Sequence, residues 1–236
     1  TGEARPAEVE PRLGDGARRD DPPVVPVPRG DGLPLSFAQQ RLWIIHQMEP
    51  RSAAYNLPVF LELRGPLDAN ALRRALDGVV ARHETLRTVL EDDGTGRPRQ
   101  RVLPAAPAAL PVGELGGLPA GERGRLAAAL AEEEARRPFD LRRGPPLRAR
   151  LLRLEAELHL LLLALHHVAA DGWSLGILAD ELERGYAAAV GRPAAPLPAL
   201  PLQYTDFPAW QRELLRGPRL ERGLAFWRAH LEGAGP

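Results

Sequence analysis

The sequence predicts a layered α/β (α+β) domain, a mixed sheet covered by helices. Two observations carry this. Short apolar runs with strand character, Asn56–Arg64, Leu147–Leu154 and Glu157–His166, are bounded by turn residues. Between them lie longer stretches whose apolar residues recur every three or four positions, as on one face of a helix.

In chain order, residues 1–33 hold six prolines, several Asp and Arg clusters and no aromatic residue. Such a segment buries too little apolar surface to offset its ordering entropy and is expected to be a disordered linker or tail. The folded region, 34–236, is expected to start near Leu35. Ser36 is placed to cap a helix to Met48, with Leu42, Ile45 and Met48 on one stripe. Asn56–Arg64 turns Leu57, Val59, Leu61 and Leu63 to one face and stops at Gly65-Pro66. Asp68 opens a helix through about His83, with Ala71, Leu72, Ala75, Leu76 and Val79 on its apolar side. Leu86–Glu91 and Arg97–Leu103 flank Asp92-Asp93-Gly94-Thr95-Gly96 as a hairpin. A short edge strand is expected near Leu110–Val112, then a helix from Pro119 to about Arg137, stopped by Pro138. Leu147–Leu154 and Glu157–His166 form a strand pair around Glu155-Ala156. A long helix, Trp173 to Val190, ends at Gly191 in the position after the C-cap. Beyond a proline-broken connection come helices at about Tyr204–Arg216 and Arg219–Leu231.

Composition narrows function by exclusion. The formal charge is zero, with 31 basic and 31 acidic residues, so no electrostatic footprint for nucleic acid or an anionic membrane is present. Every basic residue is Arg, which reads as a GC-rich coding bias. The absence of cysteine removes disulfides, thiolate zinc sites and a cysteine nucleophile. The polar opening Thr1-Gly2-Glu3-Ala4-Arg5-Pro6 has no signal-peptide character. The longest apolar run, Leu160–Leu165, is far below the ~20 residues of a membrane helix. A soluble cytoplasmic protein is therefore expected.

The chemistry concentrates at His166-His167-Val168-Ala169-Ala170-Asp171-Gly172, followed by Trp173-Ser174. Successive strand side chains face opposite ways, so one imidazole of the pair faces a given cleft. Asp171, beside Gly172, lies on a loop that can return a carboxylate towards the rings. An imidazole at a cleft suits an acyl transfer in which it handles the attacking group's proton. A metal site from His159, His166, His167 and Asp171 is disfavoured, because the adjacent histidines diverge. No Walker loop or dinucleotide fingerprint is present. Leu115-Gly116-Gly117-Leu118 is followed by Pro119 rather than Ser, so it offers no attachment point for phosphopantetheine.

Further stretches accompany the histidine loop. They are Ser36-Phe37-Ala38-Gln39-Gln40-Arg41-Leu42-Trp43, Arg82-His83-Glu84-Thr85-Leu86-Arg87-Thr88, Pro138-Phe139-Asp140-Leu141 and Tyr204-Thr205-Asp206-Phe207-Pro208-Ala209-Trp210-Gln211. In this order and spacing, over roughly residues 34–236, the chain resembles the condensation domains of non-ribosomal peptide synthetases. The resemblance implies a chloramphenicol-acetyltransferase-like lobe, the first of two in a domain about twice this length, with the second lobe absent. Family members react their substrates in a tunnel between the lobes, so one lobe alone is expected to be inactive.

The implied activity is amide bond formation between an aminoacyl or peptidyl thioester on an upstream carrier domain and an aminoacyl thioester on a downstream one. Both arrive on 4'-phosphopantetheine of the partners; no covalent cofactor is expected on this chain. The catalytic role falls on His167, as proton acceptor or as a group that positions the amine. His166, Asp171, Gly172, Trp173 and Ser174 are expected to support it. His166 would be buried and hydrogen-bonded. Asp171 would hold the loop through an ion pair with an Arg, direct catalysis being the alternative. Gly172 would allow close backbone approach or a positive φ, and a nearby N–H would polarise the thioester oxygen. Arg82 and Arg87, and Arg41 from the first motif, are candidates for the channel or for lobe structure; local ion pairs at a solvated helix end are the competing reading of the Arg82–Arg87 stretch. Trp43 and Trp210 are expected in packing. The rivals are an epimerisation domain, in which Ser-Trp usually replaces Trp173-Ser174, a free-standing acyltransferase, and a non-catalytic lobe that docks carrier proteins.

Overall fold

The computed structural model describes residues 21–30 and 32–233. Two sheets and their helices follow in the order β1 (Leu33–Pro34), α1 (Phe37–Met48), β2 (Asn56–Arg64), α2 (Ala69–Arg82), β3 (Thr88–Asp92), β4 (Pro98–Val102), β5 (Val112–Glu114), α3 (Ala120–Arg136), β6 (Leu147–Glu155), β7 (Leu158–His166), α4 (Gly172–Ala189), α5 (Phe207–Leu214) and α6 (Gly217–His230). Short 3-10 turns stand at Glu84–Arg87 and Tyr204–Asp206. The larger sheet has the order β2-β7-β6-β5; β5 runs parallel to β6 and the other pairs are antiparallel. The smaller sheet is β1-β4-β3.

The alternation of side chains along β7 organises everything around it. Leu161, Leu163 and Leu165 face α2 and α4, joining Leu72, Leu76, Val79, Leu178 and Leu182 in one core. Leu162 faces the other way, against Leu115, Ala127 and Ala131, and Ala164 packs with Leu35, Leu42, Trp43, Phe139 and Leu141. Covered on both faces, β7 tolerates the continuous apolar run that its sequence shows. Burying each such leucine contributes ~1.5–3 kcal/mol. The α2–α4 crossing is close: a Cβ on Gly185 would lie 3.2 Å from the Ala75 Cβ, so glycine sets the interhelix distance there.

Most elements form where the sequence places them. Ser36 caps α1 in a reciprocal box with Gln39, and Asp68 caps α2 through the N–H groups of Asn70 and Ala71. Gly191, at φ +76°, terminates the α4 segment in the left-handed region. The departures have local causes. Met48 is 76% exposed, because the buried side of α1 runs through Gln39, Leu42 and Trp43. Pro119 stands just before α3 as its cap, and the edge strand falls at Val112–Glu114, where it pairs with Leu151–Arg153. The helix expected from Tyr204 begins as a 3-10 turn and is a regular helix only over Phe207–Leu214.

The expected disordered tail also needs correction where the structure describes it; residues 1–20 and 31 lie outside the described residues. Residues 22–30 have no regular secondary structure, yet they are pinned to the domain. The Val27 N–H donates to Asp206 Oδ1 at 2.9 Å, Arg29 bridges Glu84 at 2.8 Å and Asp206 at 2.6 Å, and the Trp210 indole N–H donates to the Pro22 carbonyl. Leu33–Pro34 pairs with Arg99–Gln100. Composition measures apolar burial alone; this strap is held by charge and backbone hydrogen bonds instead. Among the described residues no helix is long and apolar enough to cross a membrane.

Candidate active site

The site grows from the end of β7. The register pairs His166 with Asn56, and the His167 N–H donates to the Tyr55 carbonyl at 2.9 Å, so the β2–β7 ladder continues one residue past the strand. Side-chain alternation therefore holds through the pair. His166 falls on the face of Ala164, and His167 on the opposite face with Leu165. The Ala169 N–H then closes a turn on the His166 carbonyl at 2.9 Å and sends the chain into α4.

His166 is 6% exposed, edge-on to Phe139 and near Tyr55. Its Nδ1 accepts the Val168 N–H at 3.1 Å, which assigns the neutral ring's hydrogen to Nε2. Burial, helped by the nearby His46 and His167, pushes its pKa down from 6.5 to about 4. The ring is buried and its Nδ1 is engaged by the turn that follows the strand.

His167 is exposed and lines an open cavity of about 420 Å³ together with Arg41, Tyr55, His83, Ser174 and Tyr204. Leu42, Leu165, Ile177 and Leu178 give this cavity an apolar floor. Asp171 also lines it, but its role differs from expectation. Its carboxylate caps α4, accepting the Ser174 N–H at 2.9 Å and the Ser174 hydroxyl at 2.7 Å, and the Asp171 N–H returns to Ser174 Oγ at 3.3 Å. Those two bonds from Ser174, reinforced by the His167 charge, hold the Asp171 pKa below the usual carboxylate range. Among the described residues no ion pair joins Asp171 to an Arg; helix capping holds the loop instead. The Ser174 hydroxyl is committed to that cap and is not poised as a nucleophile. Gly172 has negative φ as the first residue of α4, and a Cβ there would meet nothing of this chain within 4 Å, so a positive φ is not the reason for glycine here. Trp173 is 84% exposed and is absent, like Gly172, from the cavity wall.

Arg41 lines the histidine cavity, whereas Arg82 and Arg87 make contacts within the lobe. Arg82 Nε bonds Glu181 Oε1 at 2.9 Å and its terminal nitrogen bonds the Pro198 carbonyl at 2.6 Å. Arg87 donates to the carbonyls of Leu103 and Ala81 and borders a separate cavity of about 860 Å³. From the same stretch, His83 and Thr85 reach the histidine cleft. Tyr204 does too, with its hydroxyl 3.1 Å from Ser36 Oγ, so the first and last motifs meet at the cavity. Trp43 is buried in the core, as expected. Among the described residues no three His, Asp or Glu side chains converge as a metal site.

A sheet covered on both faces, with one exposed imidazole beyond its central strand, defines a chloramphenicol-acetyltransferase-like lobe. The model of the Condensation domain family matches residues 30–236, and the chain belongs to that family, the condensation domains of non-ribosomal peptide synthetases. A linear gramicidin synthase of Brevibacillus parabrevis is 42% identical over 223 residues, 94% of this chain and 3% of that protein. Among solved structures, the X-domain from teicoplanin biosynthesis, in complex with OxyB, superposes with a TM-score of 0.80 at 33% identity, over 91% of this chain and 46% of that one. The first condensation domain of the calcium-dependent antibiotic synthetase, in complex with a substrate analogue, gives 0.75 at 28% identity, over 88% and 49%. The chain thus spans a small part of that synthase and slightly under half of either solved chain.

Proposed function

We propose that this chain is the His-His-x-x-x-Asp-Gly-bearing half of a condensation domain that forms peptide bonds between carrier-bound substrates. The observation that carries the reading is the division of labour in the histidine pair: His166 is buried and neutral, while His167 stands free in the cavity. The acceptor amine attacks the donor thioester carbonyl, a C–N bond forms and the C–S bond breaks. His167 takes the proton released by the amine and returns it to the departing thiolate, or holds the amine in line by a hydrogen bond. The Asp171–Ser174 cap keeps the loop that carries His167 against the first turn of α4.

Donor and acceptor come from upstream and downstream peptidyl carrier domains on their phosphopantetheine arms. The other wall of the reaction chamber comes from a second lobe of the same fold. Holding both substrates in line accounts for ~7–11 kcal/mol of barrier reduction, which an open half-cleft does not supply. The test is dipeptide formation from two loaded carrier proteins, followed by mass spectrometry, for this chain with and without a complementary lobe. Product only when both lobes are present supports the reading; product from the 236-residue chain alone at comparable rate refutes it. A docking lobe is the second reading, favoured by the complex that the X-domain from teicoplanin biosynthesis makes with OxyB. It predicts carrier binding without product under both conditions.

A further inference from the structure

The cleft holds a second imidazole that the mechanism above does not use. His83 caps the C-terminus of α2 and lines the same cavity as His167. Its Nε2 lies 2.6 Å from Glu181 Oε2, on the buried third turn of α4, while the other oxygen of that carboxylate takes Arg82 Nε at 2.9 Å. An ionised carboxylate only accepts, so the hydrogen of a neutral His83 ring sits on Nε2 and Nδ1 carries a free lone pair. Nδ1 has no partner among the described residues. Glu181 is 5% exposed, and a carboxylate buried to that degree is retained at a cost in desolvation. The corner is braced further: Gln203 Nε2 donates to the Arg82 carbonyl at 3.0 Å, and the Glu84 N–H donates to Gln203 Oε1 at 3.1 Å. A cleft wall that only excluded water would need an apolar side chain at 83. In the neutral ring this arrangement makes Nε2 a donor to the protein and leaves Nδ1 an acceptor.

Building on the condensation reading, we propose that His83 is a substrate-positioning residue whose Nδ1 accepts a hydrogen bond from an N–H of the acceptor substrate. Two N–H groups of that substrate offer the same chemistry, the α-amine of the aminoacyl group and an amide of the pantetheine arm. Binding to the 236-residue chain is measured by calorimetry with two probes, pantetheine alone and an aminoacyl amide of aminopantetheine. Imidazole ¹⁵N spectra report the tautomer of His83. His83→Gln keeps a donor within reach of Glu181 and removes the ring acceptor. His83→Asn places a carbonyl near the Nδ1 position and gives up the Glu181 bond.

The expected result is an Nε2–H tautomer in the parent, about 5- to 10-fold weaker binding in His83→Gln with an unchanged melting temperature, and near-parent binding with a lowered melting temperature in His83→Asn. Weakening with both probes assigns the arm amide; weakening only with the aminoacyl probe assigns the α-amine. Parent-like binding by His83→Gln, an Nδ1–H tautomer, or no binding of either probe by the parent overturns the inference. Because the readout is binding, failure of dipeptide formation with binding intact counts against the condensation reading alone.

Discussion

The buried member of the histidine pair makes this lobe sensitive to mild acid. His166 titrates near its ordinary 6.5 in the unfolded chain but at about 4 in the folded one, because its ring is enclosed by Phe139, Tyr55 and the end of β7. Protonation would also put a hydrogen on Nδ1, where the Val168 N–H already points. Between these two values the unfolded state binds more protons, so stability rises with pH across the window. On acidification the loss begins as pH falls through about 6.5 and is complete below about 4, and the shift corresponds to about 3 kcal/mol. That is a sizeable share of the ~5–15 kcal/mol stability of an ordinary domain. His46 and His159 are also held below their usual value by burial and act in the same direction. The contribution of His166 is therefore isolated by a difference. His166→Asn leaves an acceptor for the Val168 N–H and removes the titration. Denaturant unfolding of parent and variant, followed by circular dichroism at about pH 7, 6, 5 and 4.5, gives two profiles. The variant is less stable near pH 7 through lost ring packing, but its profile is flatter, and the gap narrows by about 2–3 kcal/mol towards pH ~4.5. Parallel profiles would refute the assignment of His166 as a buried neutral ring.

Two further outcomes follow from the contacts. Asp171→Ala removes the α4 cap and lowers stability by ~1 kcal/mol, while Asp171→Asn restores most of it; a loss of ~3–5 kcal/mol in thermal melts would instead indicate a buried ion pair. Arg29→Ala leaves Asp206, 1% exposed, without its cation. Burial raises the pKa of this carboxylate, and Arg29 with the N–H groups of Gln203 and Val27 brings it below the usual range. The variant is expected to lose ~1–2 kcal/mol, discounted for the partial exposure of Arg29, and its Val27 amide to exchange hydrogen faster; unchanged exchange would show that the strap is held by something else.

The elements are legible in the sequence wherever a local signal suffices. Asp68 and Ser36 announce helix starts, Gly191 announces an end, and the period-two run Leu57–Leu63 announces the face that β2 turns to the core. The parity argument that separates His166 from His167 also needs only the strand, because the ladder extends through the His167 N–H. What the sequence hides is pairing over distance. Glu181 stands nearly a hundred residues from Arg82 and His83, and nothing local marks a polar residue on α4 as buried. Arg82 and Arg87 stand out by charge, while the cleft is reached by His83 and Thr85 between them. For Asp171 a local signal did exist: its spacing to Ser174 is that of a reciprocal cap with serine at the third position, and it outweighs the expected ion pair. The pinned strap at 22–30 is invisible for a similar reason to Glu181, since Arg29 finds Glu84 and Asp206 only after the chain has folded.

The proposed function assigns His167, exposed at the cavity, to the reaction and His166, buried behind it, to the fold. Single-turnover dipeptide formation by the two-lobe domain, from loaded carriers quenched on the millisecond-to-second scale, tests that division directly. His167→Ala is predicted to slow product formation by at least ~10²-fold while its melting temperature stays within about a degree or two of the parent, because the side chain is exposed. A near-normal rate in His167→Ala, or a collapse of stability as large as that of a His166 variant, would contradict the division of roles.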